Sequence, residues 1–157
     1  KIEGLADSKK LTPLKREKLY DEIINKALCY CVAYSTEKEI DEMNILNASL
    51  LAMKRAVFGL KIKPDFIIVD GNRLPDFECD AKALVKGDDL SPSVAAASIL
   101  AKVERDRYME ELDKIYPQYN LKKHKGYGTK EHYELIKKYG IADIYRKTFL
   151  KNIKEKM

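Results

Sequence analysis

The stretch FIIVDGNRLPDFECDAKALVKGDDLSPSVAAAS, from Phe66 to Ser98, decides the fold that this sequence predicts. Phe66–Val69 is an unbroken apolar run rich in β-branched residues, which is typical of a strand buried on both faces of a parallel sheet. A weaker strand pattern follows at Ala81–Val85, and Ser91 and Pro92 then suit the N-cap and first position of a helix. Helices and strands alternate along the chain, which predicts an α/β domain.

Each predicted strand ends in an acid and turn residues. Asp70 directly follows the first strand, and Asp88 follows the second in Lys86-Gly87-Asp88. Parallel sheets place ligand groups at the carboxyl ends of their strands, where neighbouring carboxylates repel one another unless a cation lies between them. Mg²⁺ or Mn²⁺ is the natural occupant of such a site. We therefore predict a metal site at Asp70 and Asp88.

Ordinary alternatives exist for these acids. Asp70 could simply accept backbone N–H bonds within its own turn, and Asp89 could replace Asp88. Asp106 lies 14 positions after Pro92, or ~20 Å along a helix, and is better explained as a surface pair with Lys102. Because two carboxylates hold a hard cation poorly, we expect further acids at the site.

Two polar segments are candidates for substrate contact. Ser8-Lys9-Lys10 is either a phosphate contact or a solvated loop. In the segment from His124 to Gly128, two glycines would allow close approach to a ligand, Tyr127 could stack on a sugar or base, and Lys125 could reach a phosphate. A flexible surface loop is the alternative. Neither histidine of the chain has a spaced partner that indicates nucleophilic or zinc chemistry.

Composition limits the class of protein. The chain has 157 residues, 45% hydrophobic and 35% charged, which indicates one globular domain over residues 1–157. A net charge of +5 is compatible with a polyanionic partner without requiring one. The three cysteines lack a metal-site spacing and indicate a reducing compartment. No membrane span or signal-peptide pattern is present, so we expect a cytoplasmic protein without membrane contact.

The remaining elements follow from periodicity and capping residues. In the first half of the chain we predict a helix from Thr12 and Pro13, a strand over Leu28–Tyr34, and a short turn capped by Ser35 or Thr36. A second helix is predicted from Asn44 and ends at Gly59. Near the C-terminus we predict a helix from Thr129 to near Gly140 and a helical tail over 141–157.

Six motifs in a fixed order resemble those of ribonuclease HII, and the resemblance covers essentially the whole chain. They are DSKKL (Asp7–Leu11), EIDEMNILNASLLAMKRA (Glu39–Ala56), IIVDGN (Ile67–Asn72), LVKGD (Leu84–Asp88), AASILAKVERD (Ala96–Asp106) and HKGYGT (His124–Thr129). The resemblance implies a ribonuclease H-like mixed sheet flanked by helices. It also implies cleavage of the RNA strand of RNA–DNA hybrids, and nicking of duplex DNA on the 5′ side of a single embedded ribonucleotide.

The resemblance further implies roles for individual residues. Asp70 and Asp88 correspond to two of the family's four metal-binding carboxylates, with Mg²⁺ or Mn²⁺ as cofactor in two-metal hydrolysis. Ser8 and Lys9 fall where the family contacts the substrate backbone. Tyr127 matches the tyrosine that packs on the sugar at the ribonucleotide–DNA junction and senses its 2′-hydroxyl, with Lys125 near the phosphate. The implied partners are RNA–DNA hybrids and ribonucleotide-containing duplex DNA, bound by a monomer.

The sequence departs from the family pattern in one respect. The family begins with a strand bearing Asp-Glu followed by Gly-Arg-Gly, whereas Asp21-Glu22 and Asp41-Glu42 lie after DSKKL and precede no such motif. We therefore expect an N-terminally incomplete chain without the first strands, with the Phe66–Val69 edge exposed. The alternative functions are a catalytically incomplete hybrid-binding module and a structural domain without a nucleic-acid partner.

Overall fold

The structure, a computed structural model, describes residues 2–146 together with Thr148 and Leu150. In chain order its α-helices and strands are α1 (Pro13–Lys26), α2 (Glu37–Phe58), β1 (Phe66–Asp70), β2 (Asp80–Leu84), α3 (Gly87–Leu90), α4 (Pro92–Ile115), α5 (Leu121–His124) and α6 (Lys130–Tyr139). Short 3₁₀ helices span Ser8–Lys10 and Pro117–Tyr119. Across the described residues, none of the helices combines the length and apolar character needed to cross a bilayer.

The sheet of the described residues consists of β1 and β2, paired in parallel. Phe66 lies opposite Asp80 and Asp70 lies opposite Leu84, so the carboxyl ends of the two strands meet at one edge. The parallel pairing predicted from the apolar runs is confirmed. Because of this register, Asp70 lies beside the residues that connect β2 to α3.

Burial of β1 on both faces, the prediction from its apolar composition, is wrong. Ile67 and Val69 are buried, but Phe66 and Ile68 are 53% and 39% exposed. Successive side chains of a strand point to opposite faces, so the alternation means that only one face of β1 is covered by the described residues. Apolar composition alone does not show how many faces of a strand are covered, because covering requires another packed layer.

The chain divides into two compact units. One takes in the residues up to Tyr34 and Ser49–Glu104, and the other takes in Ser35–Ala48 and the described residues from Arg105 onward. The prediction of a single domain over residues 1–157 stays a prediction.

The core of the first unit forms where α1 packs against the first half of α4. Its buried members are Leu11, Leu19, Tyr20, Ile23, Ile99, Leu100 and Val103. Thr12 caps α1 by accepting a hydrogen bond from the Lys15 N–H, and Pro13 is its first residue, which confirms the predicted helix start. The many small residues at the start of α4 include Ala95, which is fully buried.

The predicted strand over Leu28–Tyr34 does not form. These residues have no regular secondary structure, and Leu28 and Tyr34 are largely exposed. A strand needs a neighbouring strand to complete its backbone hydrogen bonds, and among residues 2–146 none pairs with this segment. Its β-branched and aromatic composition was therefore not sufficient to predict its structure.

Helix α2 contains a kink at Asn44, whose positive φ of 71° is not helical. The Asn44 side chain accepts a hydrogen bond from the Asn47 N–H, so the helix predicted from Asn44 does begin there. The preceding residues, predicted to form a short turn, are instead helical from Glu37. Thr36 and Glu39 exchange side-chain and backbone hydrogen bonds in a capping box at this start.

The core of the second unit surrounds Tyr119, Leu121 and Ile136. Helix α6 begins after Thr129, whose hydroxyl accepts a hydrogen bond from the His132 N–H, and it ends before Gly140. Both predicted ends of α6 are confirmed. The helical tail predicted over 141–157 is wrong for residues 141–146, which form turns and irregular structure, and residues 147, 149 and 151–157 lie outside the described residues.

Candidate active site

The site is built where β1 ends beside the start of α3. The Asp70 carboxylate accepts a hydrogen bond from the Gly87 N–H at 2.8 Å, across 17 residues of sequence. The bond joins the ends of two strands and does not close the Asp70–Asn72 turn, which was the ordinary alternative for this acid. Asp88 follows Gly87 directly, so the structure brings the two predicted ligand-bearing segments together.

Gly87 permits this close approach. It is buried, and a Cβ atom at this position would lie 3.2 Å from Val94 Cγ1 and 3.4 Å from Asp70 Oδ1. The contact with Val94 is tighter than most real Cβ contacts, so a side chain at this position would require Val94 to shift by a few tenths of an ångström, and it would lie in ordinary contact with the carboxylate. The glycine in Lys86-Gly87-Asp88 therefore has a packing reason that the sequence pattern did not reveal.

Asp89, the alternative to Asp88, is engaged elsewhere. Its two carboxylate oxygens accept hydrogen bonds from the Lys10 ammonium at 2.7 Å and 2.9 Å. The hydrogen bond to Asp89 raises the pKa of Lys10, and the negative charges of Asp7 and Asp88 act in the same direction. The ion pair ties the DSKKL segment to α3, beside Asp88.

The donor chemistry of the site suits a hard divalent cation, because carboxylate oxygens are the ligands that such ions prefer. Within the part of the chain that the structure describes, however, no group of three or more His, Cys, Asp or Glu side chains is arranged to hold a metal ion. Asp70 and Asp88 would supply only part of a coordination shell. The expectation of further acids at the site stays a prediction.

A cavity of about 560 Å³ opens beside Asp88. Its wall combines the residues before the DSKKL motif with the α3–α4 junction: Ile2, Glu3, Gly4, Leu5, Asp88, Asp89, Leu90, Ser91, Pro92 and Ala95. The cavity leaves space next to a predicted metal ligand.

The structure separates the predicted roles of Ser8 and Lys9. The Ser8 hydroxyl is buried and accepts a hydrogen bond from the Ser98 hydroxyl at 2.9 Å, and its carbonyl accepts one from Arg16. Lys9 is exposed, and its backbone N–H donates to the Asp7 carboxylate. Ser8 therefore fixes this short 3₁₀ helix from inside, while Lys9 lies on its surface. Their contacts with substrate stay predictions.

The loop that carries the other two predicted substrate residues belongs to the second unit. The Tyr127 side chain is exposed. The Lys125 ammonium donates a hydrogen bond to the Glu110 carboxylate at 2.5 Å, and the side chain of Lys125 is only 18% exposed. Lys125 is therefore less accessible to a phosphate than its place in a Gly-containing loop suggests.

A pair of buried histidines beneath this loop was missed by the sequence reasoning. The rings of His124 and His132 stack with centroids 4.0 Å apart. Burial lowers the pKa of His132, and the neighbouring His124 lowers it further. His124 ends α5 and His132 lies in α6, so no single helix or strand carries both, and the sequence alone offered no signal for the pair.

Comparison with known proteins identifies the family. The model of the ribonuclease HII family matches residues 1–152. Ribonuclease HII of Caldicellulosiruptor bescii is 57% identical over 152 residues, which cover 97% of this chain and 74% of the relative. That of Shewanella baltica is 54% identical over 154 residues, which cover 94% of this chain and 73% of the relative.

Solved structures agree with the sequence comparisons. The crystal structure of ribonuclease H2 from Pyrococcus horikoshii superposes with a TM-score of 0.79 at 33% identity, covering 98% of this chain and 81% of that one. The PCNA:RNase HII complex from Archaeoglobus fulgidus gives a TM-score of 0.69 at 26% identity, covering 98% and 82%. The ribonuclease H-like fold expected from the sequence is confirmed, and the chain belongs to the ribonuclease HII family.

Proposed function

We propose that this chain belongs to a metal-dependent endoribonuclease that cleaves the RNA strand of RNA–DNA hybrids and nicks duplex DNA on the 5′ side of a single embedded ribonucleotide. The observation that carries the proposal is the Asp70–Gly87 hydrogen bond, which brings the segments of Asp70 and Asp88 together at the edge of the parallel sheet. Relatives named ribonuclease HII support the same activity.

Asp70 and Asp88 would hold the cofactor, Mg²⁺ or Mn²⁺, together with further acids. When bound, a pair of such ions supplies activation of the attacking water and stabilisation of the departing 3′-oxygen. The products are then a 3′-hydroxyl and a 5′-phosphate. The contribution of this chain's own residues is to bring the segments that carry two carboxylates together, with the Gly87 N–H bonded to the Asp70 carboxylate.

The substrate contacts are divided between surface and buried groups. Lys9 would contact a backbone phosphate, while Ser8 orients the short helix that carries it. The exposed ring of Tyr127 would pack on the sugar at the ribonucleotide–DNA junction and sense the 2′-hydroxyl. Lys125 would support the adjacent phosphate once that phosphate competes with Glu110 for its ammonium.

We further place the protein in the cytoplasm, as a monomer. All three cysteines are free thiols, which supports a reducing compartment.

Substitution of Asp70 by Asn tests the proposal. Asn retains an oxygen that accepts the Gly87 N–H bond but loses the negative charge, so the fold should persist. With a duplex containing one ribonucleotide and Mg²⁺ or Mn²⁺ present, we expect loss of cleavage with retained binding. Asp80→Asn, at the opposite end of the same parallel pair, is the matched control and should cleave normally. Unchanged cleavage by Asp70→Asn would remove this residue from the mechanism.

A non-catalytic hybrid-binding module is the second candidate. It is favoured by the finding that no cluster of three or more candidate metal ligands occurs in the described ranges of the chain. This candidate predicts hybrid binding without hydrolysis and without any effect of Asp88→Asn. A metal-dependent nuclease instead predicts that Asp88→Asn abolishes cleavage.

A further inference from the structure

Tyr127 combines an exposed ring with a tightly bonded backbone. Its side chain is 64% exposed. Its N–H donates to the His124 carbonyl at 2.9 Å, and its own carbonyl accepts from the Thr129 N–H at 2.8 Å and from His132 Nδ1 at 2.9 Å. The position of the ring is therefore set by backbone hydrogen bonds on both sides of the residue, while most of the ring surface faces solvent.

Both ring nitrogens of His124 form hydrogen bonds with backbone groups. Its Nε2 donates to the Tyr119 carbonyl at 2.7 Å, and its Nδ1 accepts from the Gly126 N–H at 3.2 Å. Because a carbonyl only accepts and a backbone N–H only donates, these contacts require a neutral imidazole with its proton on Nε2. The ring therefore links the end of the preceding 3₁₀ helix to the residue just before Tyr127.

His132 requires the opposite tautomer. Its Nδ1 must carry a proton in order to donate to the Tyr127 carbonyl. Its Nε2 lies 3.1 Å from the Tyr145 hydroxyl. Burial and the adjacent His124 lower the pKa of His132, and burial raises the pKa of Tyr145. A neutral imidazole therefore accepts a hydrogen bond from the Tyr145 hydroxyl.

The turn before Tyr127 combines a left-handed backbone conformation with packing against neighbouring side chains. Lys125 and Gly126 both have positive φ, 51° and 79°, which reverses the chain direction within two residues. A Cβ atom on Gly126 would lie 3.4 Å from Arg105 Nη2 and 3.5 Å from Met109 Cε. Below the turn, His132 is 1% exposed and stacks on His124, so the loop rests on two well-packed rings.

We propose that His124 and His132 are positioning residues, which hold the Tyr127 backbone so that its ring meets the substrate in one orientation. The inference rests on the proposed function of Tyr127 at the ribonucleotide–DNA junction. Neither histidine touches the substrate in this proposal. Their role is to fix in advance the geometry that junction recognition needs, since a displacement of about 1 Å at a reacting site can cost as much as ~100-fold in rate.

The first experiment compares two substitutions of His132 in the intact protein. His132→Leu removes the donor to the Tyr127 carbonyl, whereas the side-chain amide of His132→Asn retains an N–H near the Nδ1 position. Cleavage is measured on a duplex with one embedded ribonucleotide and on a uniform RNA–DNA hybrid. The ratio compared between variants is kcat/KM for the embedded ribonucleotide divided by kcat/KM for the hybrid. We expect His132→Leu and Tyr127→Ala each to lower this ratio by roughly tenfold, and His132→Asn to retain most of the wild-type ratio.

Ile136→Ala is the matched control for lost stability. Ile136 is buried in the same unit, but its side chain makes no hydrogen bond to the loop. The Ile136→Ala variant should have a lower unfolding midpoint and an unchanged substrate ratio. In a Tyr127→Ala background, His132→Leu should not change the ratio further, because the two residues act as one unit. An equal loss on both substrates in His132→Leu overturns the positioning role while leaving the proposed nuclease function intact.

A second measurement does not depend on cleavage. ¹⁵N NMR of the histidine side chains at neutral pH should show the proton of His124 on Nε2 and that of His132 on Nδ1. The opposite tautomer at either ring, or a doubly protonated ring, overturns the arrangement from which the positioning role is inferred. If the wild-type protein cleaves neither substrate while these tautomers are observed, it is the proposed nuclease function that fails, and the role of Tyr127 at a junction fails with it.

Discussion

At the scale of single residues, Gly87 packs closely against Asp70 at the end of β1. Its N–H donates to the Asp70 carboxylate at 2.8 Å, and its missing Cβ leaves room for Val94. The pattern of a strand followed by Gly-Asp would predict a turn, but it does not predict this hydrogen bond. The bond depends on a partner 17 residues away.

Gly87→Ala should affect activity more than stability. The added methyl group would press on Val94 and lie in contact with the Asp70 carboxylate, but Ala in a helix is favoured over Gly by up to about 1 kcal/mol, so the two effects offset one another. We expect the free energy of unfolding to change by less than about 1 kcal/mol and cleavage to fall by roughly tenfold. Urea denaturation and single-turnover kinetics measure the two effects. Lys82→Ala, an exposed substitution on β2, should change neither.

The second unit should lose stability in mild acid because of His132. Burial lowers the pKa of this residue below its ordinary value of 6.5, so between the two values the unfolded chain binds more protons than the native one. The contribution of the neutral ring is complete above pH 6.5 and is lost as the pH falls from there toward the native-state pKa. The stacked His124 also lowers the pKa of His132, which widens this pH range.

The urea midpoint measured at pH values of about 7.5 and 5.5 tests this prediction. The Tyr145 hydroxyl, which faces His132, keeps its proton over this range because burial raises its pKa. The carboxylate of Glu131, bonded to Lys123 and Asn120, has its pKa lowered and stays ionised. The wild-type midpoint should fall between these pH values, and His132→Asn should show a smaller fall. An equal fall in both proteins would contradict the assignment to His132.

At the scale of elements, hydrogen bonds at helix ends explain where the helices begin. Thr12, Thr36, Asn44 and Thr129 each accept a hydrogen bond from the backbone N–H of the residue three positions later. These bonds are local, so the residue types that make them are visible in the sequence. The strand over Leu28–Tyr34 failed as a prediction because a strand depends on a distant partner that its own residues do not specify.

Removal of one such cap should loosen the first unit. Thr12→Ala loses the hydrogen bond to the Lys15 N–H at the start of α1, which packs against the buried half of α4. We expect a loss of about 1 kcal/mol in the free energy of unfolding, measured by urea denaturation. Thr12→Ser retains a hydroxyl acceptor and should stay within a few tenths of a kcal/mol of the wild type. A similar loss in both variants would mean that the methyl group, and not the cap, stabilises the helix.

At the scale of the whole molecule, a positive charge of +5 favours a polyanionic partner, but its placement decides which groups take part. Lys10 and Lys125 form ion pairs with Asp89 and Glu110. Lys9 is exposed on the DSKKL segment. The lysine residues are therefore not equivalent, although the sequence offers them as one basic set.

Lys9→Gln should reduce the salt dependence of hybrid binding. Each phosphate contact that is lost lowers the slope of log K against log salt concentration by about one. Binding of a catalytically inactive Asp70→Asn background to an RNA–DNA hybrid, measured between about 50 and 200 mM salt, checks this expectation. Lys63→Gln removes an equally exposed lysine before β1 and should leave the slope unchanged. Equal slopes in all three proteins would exclude Lys9 from the phosphate contacts.

The sequence by itself determined the parallel strand pair, most helix starts and stops, the pair of strand-end aspartates and the family. The helix ends and the strand-end aspartates depend on residue type and short spacing, the family depends on the order of its motifs, and the parallel pair was predictable because each of its two strands has a recognisable pattern. Only the tertiary structure decided that one face of β1 is covered, that Ser8 is turned inward, that Lys125 is held by Glu110, and that two histidines stack beneath Tyr127. These features arise from contacts between different segments of the chain. Such contacts depend on how whole elements pack, and on the need of each buried polar group for a hydrogen-bond partner.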